Sequence, residues 1–359
     1  MNILEIIPHL QSGGGEKFVV DLSNQLAKMG HQCTLMTLFD PNENDILRQY
    51  IDSSVSTISL GKKMGVDIRC MFNIYRYIKK HKPQVVHLHL NAITYILLSV
   101  LLCRKVKYVA TIHSEAKREA GSGINKWVRK FLFKFKLVTP ITISNESKIS
   151  FENFYNIQAD LIVNGASSYH KQERMWDDYH KGVDLLFLHA GRINKVKNQL
   201  MLISAFERIV ELGANVKLLI AGRVDDDAIY NQIKSRESEH IVYIGEQSDV
   251  RNIMLSCDVF CLSSLMEGMP ITIIEAFSAG CVPICTPVGG CVNMIKNGIN
   301  GFISKDCSEE AYFEMLQKVV SASEEGFKKI KEQASKSFFD YSIEKCAKSY
   351  IKVFINEKD

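Results

Sequence analysis

Short apolar runs suited to β-strands alternate with amphipathic helical stretches from one end of the chain to the other, and this restricts the fold more than any other feature. Ile3–Ile7, Cys33–Leu38, Val55–Leu60, Val85–Leu90, Lys107–Ile112 and Leu137–Ile143 read as strands, with helical spacing between several of them, as in Lys17–Met29 and Ile68–Lys80. Apolar runs that short, separated by helices, are the mark of βαβ units in a parallel sheet covered on both faces. The alternation breaks over the polar stretch Ser167–Asp184, which reads as an interdomain connection. It restarts with Leu185–Ala190, Val216–Ala221, Ile241–Ile244, Asp258–Leu262 and Val282–Cys285. The expectation is two Rossmann-like α/β domains, 1–167 and 168–340, each a doubly wound sheet. A segment 341–359 follows, in which Ser342–Phe354 has helical apolar spacing. A chain of 359 residues is comfortable for two cores of about 150–180 residues each.

Composition excludes several classes. With 46% hydrophobic and 23% charged residues the chain is globular, and a net charge of +4 gives no bulk reason to expect nucleic acid. Met1–Leu10 lacks the basic start of a secretory signal, and the longest apolar helix-like run, Ile93–Cys103, is about half of the roughly 20 residues that span a bilayer. The expected location is cytoplasmic. Ten cysteines then read as small buried hydrophobes. The Cys257/Cys261 and Cys281/Cys285 pairs have no histidine or carboxylate pattern beside them, so no metal site is expected.

Three loops carry chemistry. Ser12-Gly13-Gly14-Gly15-Glu16 lies between the first strand and a helix, where glycines let a ligand approach backbone N–H groups; taken alone it could be a plain strand–helix turn. It lacks the spacing of a dinucleotide fingerprint, which counts against a nicotinamide enzyme. Gly191-Arg192-Ile193-Asn194-Lys195-Val196-Lys197-Asn198 follows the first strand of the second half, on the edge where doubly wound sheets bind ligands. There Arg192 and Lys197 suit a diphosphate, although a solvated basic loop would look similar. Glu267-Gly268-Met269-Pro270-Ile271-Thr272-Ile273-Ile274-Glu275 follows the Asp258 strand and opens a helix. Pro270 suits its first turn, and the carboxylates of Glu267 and Glu275 can accept hydrogen bonds from sugar or ribose hydroxyls. A glycine turn at Gly289-Gly290 and His113 at the end of a first-half strand complete the set.

In this order and spacing GGGEK, TIH, GRINKVKN, EGMPITIIE and PVGG resemble glycosyltransferase family 4, retaining enzymes of GT-B fold. The resemblance runs from the first strand to about Gly301. It implies two doubly wound domains facing a central cleft and a final helix from Ser342 returning to the first domain. With Arg192 and Lys197 to neutralise the diphosphate and no D-x-D-like metal motif at the cleft, the transfer is expected to be metal-independent and to need no cofactor. By resemblance Arg192 and Lys197 hold the donor diphosphate, Glu275 binds ribose, and Glu267 meets the transferred hexose. Gly191 and the run Gly268, Met269, Pro270 and Ile271 line the donor site, Gly13 and Gly14 close on the donor, and His113 lies beside the reacting sugar. Two positions depart from the family pattern: Asn293 stands where a glutamate is usual, and Ala221-Gly222 is followed by Arg223-Val224 rather than a second glycine. The run Asp225–Asp227 reads as the solvated start of a helix.

The expected partners are a nucleotide-sugar donor, with UDP-hexose or UDP-N-acetylhexosamine preferred, and a saccharide or lipid-linked saccharide acceptor of the kind used in bacterial capsule, O-antigen or exopolysaccharide synthesis. Asn125–Lys136, NKWVRKFLFKFK, carries five basic residues and no acid. Lys126, Trp127, Arg129, Lys130 and Lys134 could rest on an anionic membrane at the inner face of the cell envelope, or the segment could be an ordinary core-facing helix. Two other classes share the fold. A nucleotide-sugar epimerase would turn over the donor without an acceptor, and a non-catalytic binding subunit would bind it without turnover.

Overall fold

The computed structural model describes residues 1–168 and 176–356; part of the Ser167–Asp184 connection therefore lies outside the described residues. The chain divides into two compact units, Met1–Ser167 with Tyr341–Asp359, and Ser168–Asp340.

The first unit is built on a seven-stranded sheet with order β3-β2-β1-β4-β5-β6-β7. Its strands are β1 Asn2–Ile7, β2 Gln32–Thr37, β3 Ser56–Ser59, β4 Val85–His89, β5 Lys107–Ile112, β6 Thr139–Thr142 and β7 Asp160–Leu161. All neighbours pair in parallel, so every connection must cross a face of the sheet, and the inner strands are largely buried while the edge strands β3 and β7 are not. The order reverses between β1 and β4. Crevices at the carboxyl ends of strands flanking such a reversal are the usual ligand sites of open α/β sheets.

Helix Ile343–Phe354, capped by Ser342, packs on helix Gly14–Lys28 of this sheet. It buries Ile343, Cys346, Ala347, Tyr350 and Phe354, the spacing of one helix face. Its entry is tight: a Cβ on Gly165 would fall 2.8 Å from the Cys346 Cβ and 2.9 Å from the Ile343 Cα. Tyr350 Oη meets Thr111 Oγ1 of β5 at 2.8 Å. The last helix is thus part of the first unit's core.

The second unit repeats the plan with six parallel strands in the order β10-β9-β8-β11-β12-β13. These are β8 Leu185–Ala190, β9 Val216–Ala221, β10 Ile241–Gly245, β11 Val259–Leu262, β12 Val282–Cys285 and β13 Phe302–Ile303, and the reversal falls between β8 and β11. Past the residues not described, Asp177–His180 forms a short 3₁₀ turn held to this unit by His180 Nε2 on Asp258 Oδ2 at 2.6 Å.

Several local expectations are corrected. Ile93–Cys103 is not one helix: a 3₁₀ segment Leu90–Ile96 leads into the six-residue helix Leu97–Leu102. Pro270 stands at the N-cap and the helix begins at Ile271, consistent with proline's missing donor and fixed φ at a helix start. No helix among the described residues is long and apolar enough to cross a membrane. The described cysteines are free thiols, and burial pushes Cys261 up to about 12 and Cys257 and Cys281 well above the ordinary thiol range. They are packing residues.

Candidate donor-binding and catalytic site

Four loops leave the carboxyl edge of the second sheet together, after β8, β9, β11 and β12. The first turns at Gly191 and reaches Asn198, which takes the left-handed conformation (φ 55°) just before helix Gln199–Glu211. No side chain caps that helix, and none caps helix Ile271–Ala279 after β11. Both helix starts therefore present first-turn N–H groups and the positive end of a macrodipole on the same edge.

Glycine is required where these loops touch. A Cβ on Gly222 would lie 1.9 Å from the Gly191 carbonyl oxygen, so the β8 and β9 loops can be this close only without a side chain there. Gly289 has φ +50°, and its Cβ would fall 2.2 Å from the Glu267 carbonyl oxygen. Its neighbour Gly290 donates its N–H to the Gly268 carbonyl at 2.7 Å. The PVGG turn is thus the surface on which the Glu267 loop is moulded.

Lys197 and Glu267, from the β8 and β11 loops, form an ion pair with Nζ to Oε1 at 2.6 Å, and Ser264 Oγ donates to the same oxygen at 2.6 Å. The carbonyl of Lys197 accepts from Ser263 Oγ at 2.8 Å, and Val196 accepts from the Leu265 N–H at 2.8 Å, which locks the two loops in register. Arg192 is half-exposed and lies 3.3 Å from Asp225, which also receives Arg223 Nε at 3.1 Å. The Arg192 carbonyl is held by Gln199 Nε2 at 2.9 Å. Glu275 is buried one turn into its helix. The arrangement offers three cations and two uncapped helix starts to an anion, with carboxylates beside them to accept hydroxyl protons.

In the first unit the glycine loop opens helix Gly14–Lys28, with Gly13 extended at its N-cap. His113, just past β5, packs beneath it: a Cβ on Gly15 would sit 3.4 Å from His113 Nδ1. Burial first, then the neighbouring His89, His87 and Arg129, hold His113 well below the ordinary histidine range, so its ring is neutral. The loop behind it is anchored by Glu119, which accepts the backbone N–H groups of His113 and Ser114 at 2.7 and 3.1 Å.

Residues 12–166 match the model of Glycosyltransferase Family 4, and residues 171–337 match that of Glycosyl transferases group 1. The chain thus carries a Glycosyltransferase Family 4 domain followed by a Glycosyl transferases group 1 domain. Among similar proteins, the Escherichia coli UDP-Gal:alpha-D-GlcNAc-diphosphoundecaprenol alpha-1,3-galactosyltransferase is 28% identical over 309 residues, covering 77% of this chain and 78% of its own length. A Campylobacter jejuni GalNAc-alpha-(1->4)-GalNAc-alpha-(1->3)-diNAcBac-PP-undecaprenol alpha-1,4-N-acetyl-D-galactosaminyltransferase is 21% identical over 369 residues, covering 100% of this chain and 99% of its own. The Anabaena protein Alr3699/HepE, solved with UDP and glucose, superposes with a TM-score of 0.82 at 16% identity over 99% of this chain and 100% of that one. At that identity the likeness establishes the GT-B fold of two Rossmann-like units.

The geometry of this glycosyltransferase corrects two expectations from its sequence. Asp225 is not a solvated helix start: it joins Arg192 to Arg223, while Asp226 supplies the cap by accepting the Ala228 and Ile229 N–H groups at 3.0 and 3.2 Å. Arg129 is not on the face of its helix that could meet a membrane. It is 1% exposed, paired with Glu119 at 3.2 Å and bonded to the Leu90 carbonyl at 2.6 Å. Trp127 remains exposed and stacks on Phe131, while Phe133 is buried. Within the second unit Lys197, Glu267, Gly268 and the Gly289 turn come into direct contact. In the first, Gly15 leaves no room for a side chain larger than a methyl group above His113 Nδ1.

Sequence reasoning missed Glu5, His87 and His89, which form a wholly buried cluster beside His113. The signal was present: a carboxylate inside the apolar strand NILEII, and two histidines two apart in VVHLH, which alternation places on one face of the sheet.

Proposed function

We propose that this glycosyltransferase moves a sugar with retention of anomeric configuration from a UDP-hexose or UDP-N-acetylhexosamine to a lipid-linked saccharide during bacterial surface-polysaccharide assembly. The observation that carries the donor assignment is the meeting of Lys197 and Glu267, with Arg192 on the adjoining loop, beside two uncapped helix starts on one sheet edge. The acceptor assignment is supported by the undecaprenol-linked substrates named for the Escherichia coli and Campylobacter jejuni relatives.

In this reading Arg192 and Lys197 receive the diphosphate, Glu275 the ribose and Glu267 the sugar hydroxyls, with Gly191 and Gly268 to Ile271 lining the donor. Gly13, Gly14 and His113 serve from the first unit. The acceptor hydroxyl attacks the anomeric carbon on the side from which the diphosphate departs. The bond from that carbon to phosphate oxygen breaks, the bond to acceptor oxygen forms, and the hydroxyl proton passes to the leaving phosphate. Fixed cations and helix N-termini at the leaving group stabilise the charge that develops there, so no divalent cation is required. Exposed Trp127 and the basic residues Lys126, Lys130 and Lys134 give the helix Gly123–Lys134 a face suited to anionic lipid, which would bring the enzyme to its acceptor.

One experiment tests these points together: transfer from labelled UDP-sugars to an undecaprenyl-diphosphate saccharide in anionic vesicles, with and without chelator. The expected product carries the donor's anomeric configuration, its yield is unaffected by chelator, and the enzyme sediments with the vesicles. Inverted product sinks the retaining mechanism, loss with chelator the metal-free reading, and enzyme left in the supernatant the membrane contact. Donor consumption without any acceptor would favour the epimerase.

A further inference from the structure

Glu5 lies in the middle of β1 with no exposure to solvent, and β4 runs beside it in a register that sets Glu5 against His87. His87 Nδ1 and His89 Nε2 approach the same carboxylate oxygen, at 2.9 and 2.8 Å. His89 Nδ1 then lies 3.0 Å from His113 Nε2. The far nitrogen of His113, Nδ1, is buried and has no hydrogen-bond partner among the described residues; the atom nearest a Cβ built on Gly15 is this one. A chain of three polar side chains thus runs from the sheet interior to the glycine loop.

Proton counting fixes the direction of each bond. Burial alone would raise the Glu5 carboxyl, but the adjoining His87 and His89 outweigh it and hold the group at about 2, so it is a carboxylate and can only accept. His89, lowered to about 4 by burial and by His87, is neutral at pH 7 and has one ring proton. That proton is committed to Glu5, which leaves His89 Nδ1 as a lone pair. His113 must then donate from Nε2, and, being neutral, has a bare lone pair at Nδ1. The start of helix Gly14–Lys28 reinforces this: its first intrahelical bond is donated by Lys17, and the N–H groups before it favour an acceptor over another donor.

We propose that Glu5 and His89 are positioning residues that hold His113 as its Nε2–H tautomer, so that the glycine loop faces a neutral acceptor at Nδ1. Such an atom takes a hydrogen bond from a hydroxyl and gives nothing to a phosphate oxygen. It therefore selects a sugar hydroxyl over a phosphate oxygen at this position. The selection of a sugar hydroxyl rests on the reading of His113 as a sugar-facing residue; the tautomer itself does not. The same Glu5, His87 and His89 atoms could face a metal ion. The 2.8 Å between His89 Nε2 and Glu5 is that of a shared proton, and both histidine separations from Glu5 are shorter than the roughly 3.3–3.5 Å between ligand atoms about 2.0–2.2 Å from a tetrahedral ion.

The test is long-range proton–nitrogen NMR at pH 7 on the full-length enzyme labelled with ¹⁵N-histidine, assigned by His113→Gln and His89→Gln. The expected spectrum has both rings neutral and protonated at Nε2. Glu5→Gln, whose amide can donate as well as accept, should release the lock, so that His113 populates the Nδ1–H form. Its kcat should fall about tenfold, the worth of one neutral hydrogen bond, with inhibition by UDP unchanged and partial recovery in Glu5→Asp. A wild-type His113 that is cationic or protonated at Nδ1 overturns the proposal, as do histidine signals that move on chelation. The wild-type spectrum decides this even if the Glu5 variants fail to fold. The expected tautomers together with full activity in His113→Ala would overturn the sugar-facing reading and leave the tautomer assignment standing.

Discussion

Replacing Lys197 with alanine is expected to lower kcat/KM for transfer by about a hundred- to a thousandfold, with only a small change in melting temperature. The ammonium is held by Glu267 at 2.6 Å at the edge of the sheet where two helices begin uncapped. Removing one preorganised group that stabilises developing charge costs about 2.7–4 kcal/mol of transition-state binding. The folded state loses far less. Both side chains of the pair retain some solvent contact, and Glu267 keeps the Ser264 hydroxyl at 2.6 Å. Partly exposed pairs of this kind contribute about 1 kcal/mol or less, a shift of about 2–4 °C in a unit of this size. Glu267→Gln should weaken UDP affinity more than recognition of the transferred sugar, because the amide can still bond a sugar hydroxyl but no longer orients the lysine that receives the diphosphate. Initial rates over a donor series beside thermal melts measure both. A Lys197→Ala enzyme within threefold of wild type would remove this residue from the leaving-group site.

Arg129→Ala is expected to have the largest effect on stability, about 3–5 kcal/mol, which lowers the melting temperature by on the order of 10 °C. Its guanidinium is 1% exposed and reaches three groups at once: Glu119 at 3.2 Å, the Leu90 carbonyl at 2.6 Å and Asn91 Oδ1 at 3.4 Å. Leu90 has φ +54°, a left-handed conformation uncommon for a leucine, and Arg129 bonds the carbonyl of that residue. Deleting the cation strands the Glu119 carboxylate, which also carries the His113 and Ser114 N–H groups. Lysine, a single point charge, cannot span the three partners and should recover only part of the loss. Pairing Arg129→Met with Glu119→Gln should cost less than Arg129→Ala alone, since no charge is left buried without its partner. Thermal melts of the three variants decide this, and a loss below about 1 kcal/mol for Arg129→Ala would return the residue to the solvated face.

The repeating plan of the fold was legible because parallel strands covered on both faces must be continuously apolar, and the helices between them only half so. β7 and β13 escaped notice because two-residue edge strands such as Asp160–Leu161 and Phe302–Ile303 carry no periodicity. The second unit's site could be read in part, since glycines and cations after strands mark a ligand edge. Why the Gly289 turn must be glycine could not: the clash is with a carbonyl from a loop 22 residues away in sequence. Arg129 and Asp225 were misread for a common reason. A charge in a polar run looks solvated until tertiary contact supplies its partner, here Glu119 and Arg192. Glu5 and the histidines of β4 are the converse, charged or polar groups in apolar strands whose meaning depends on register between neighbours.

Calorimetric titration of UDP into the wild-type enzyme and into Arg192→Ala tests the placement of the donor most directly. The predicted result is saturable binding to wild type that weakens with added salt, and at least tenfold weaker binding to the variant, as expected when one charged contact to phosphate is removed. Equal affinity in the two proteins, or no binding to well-folded wild type, would contradict the placement of the donor on the edge formed by the loops after β8 and β11.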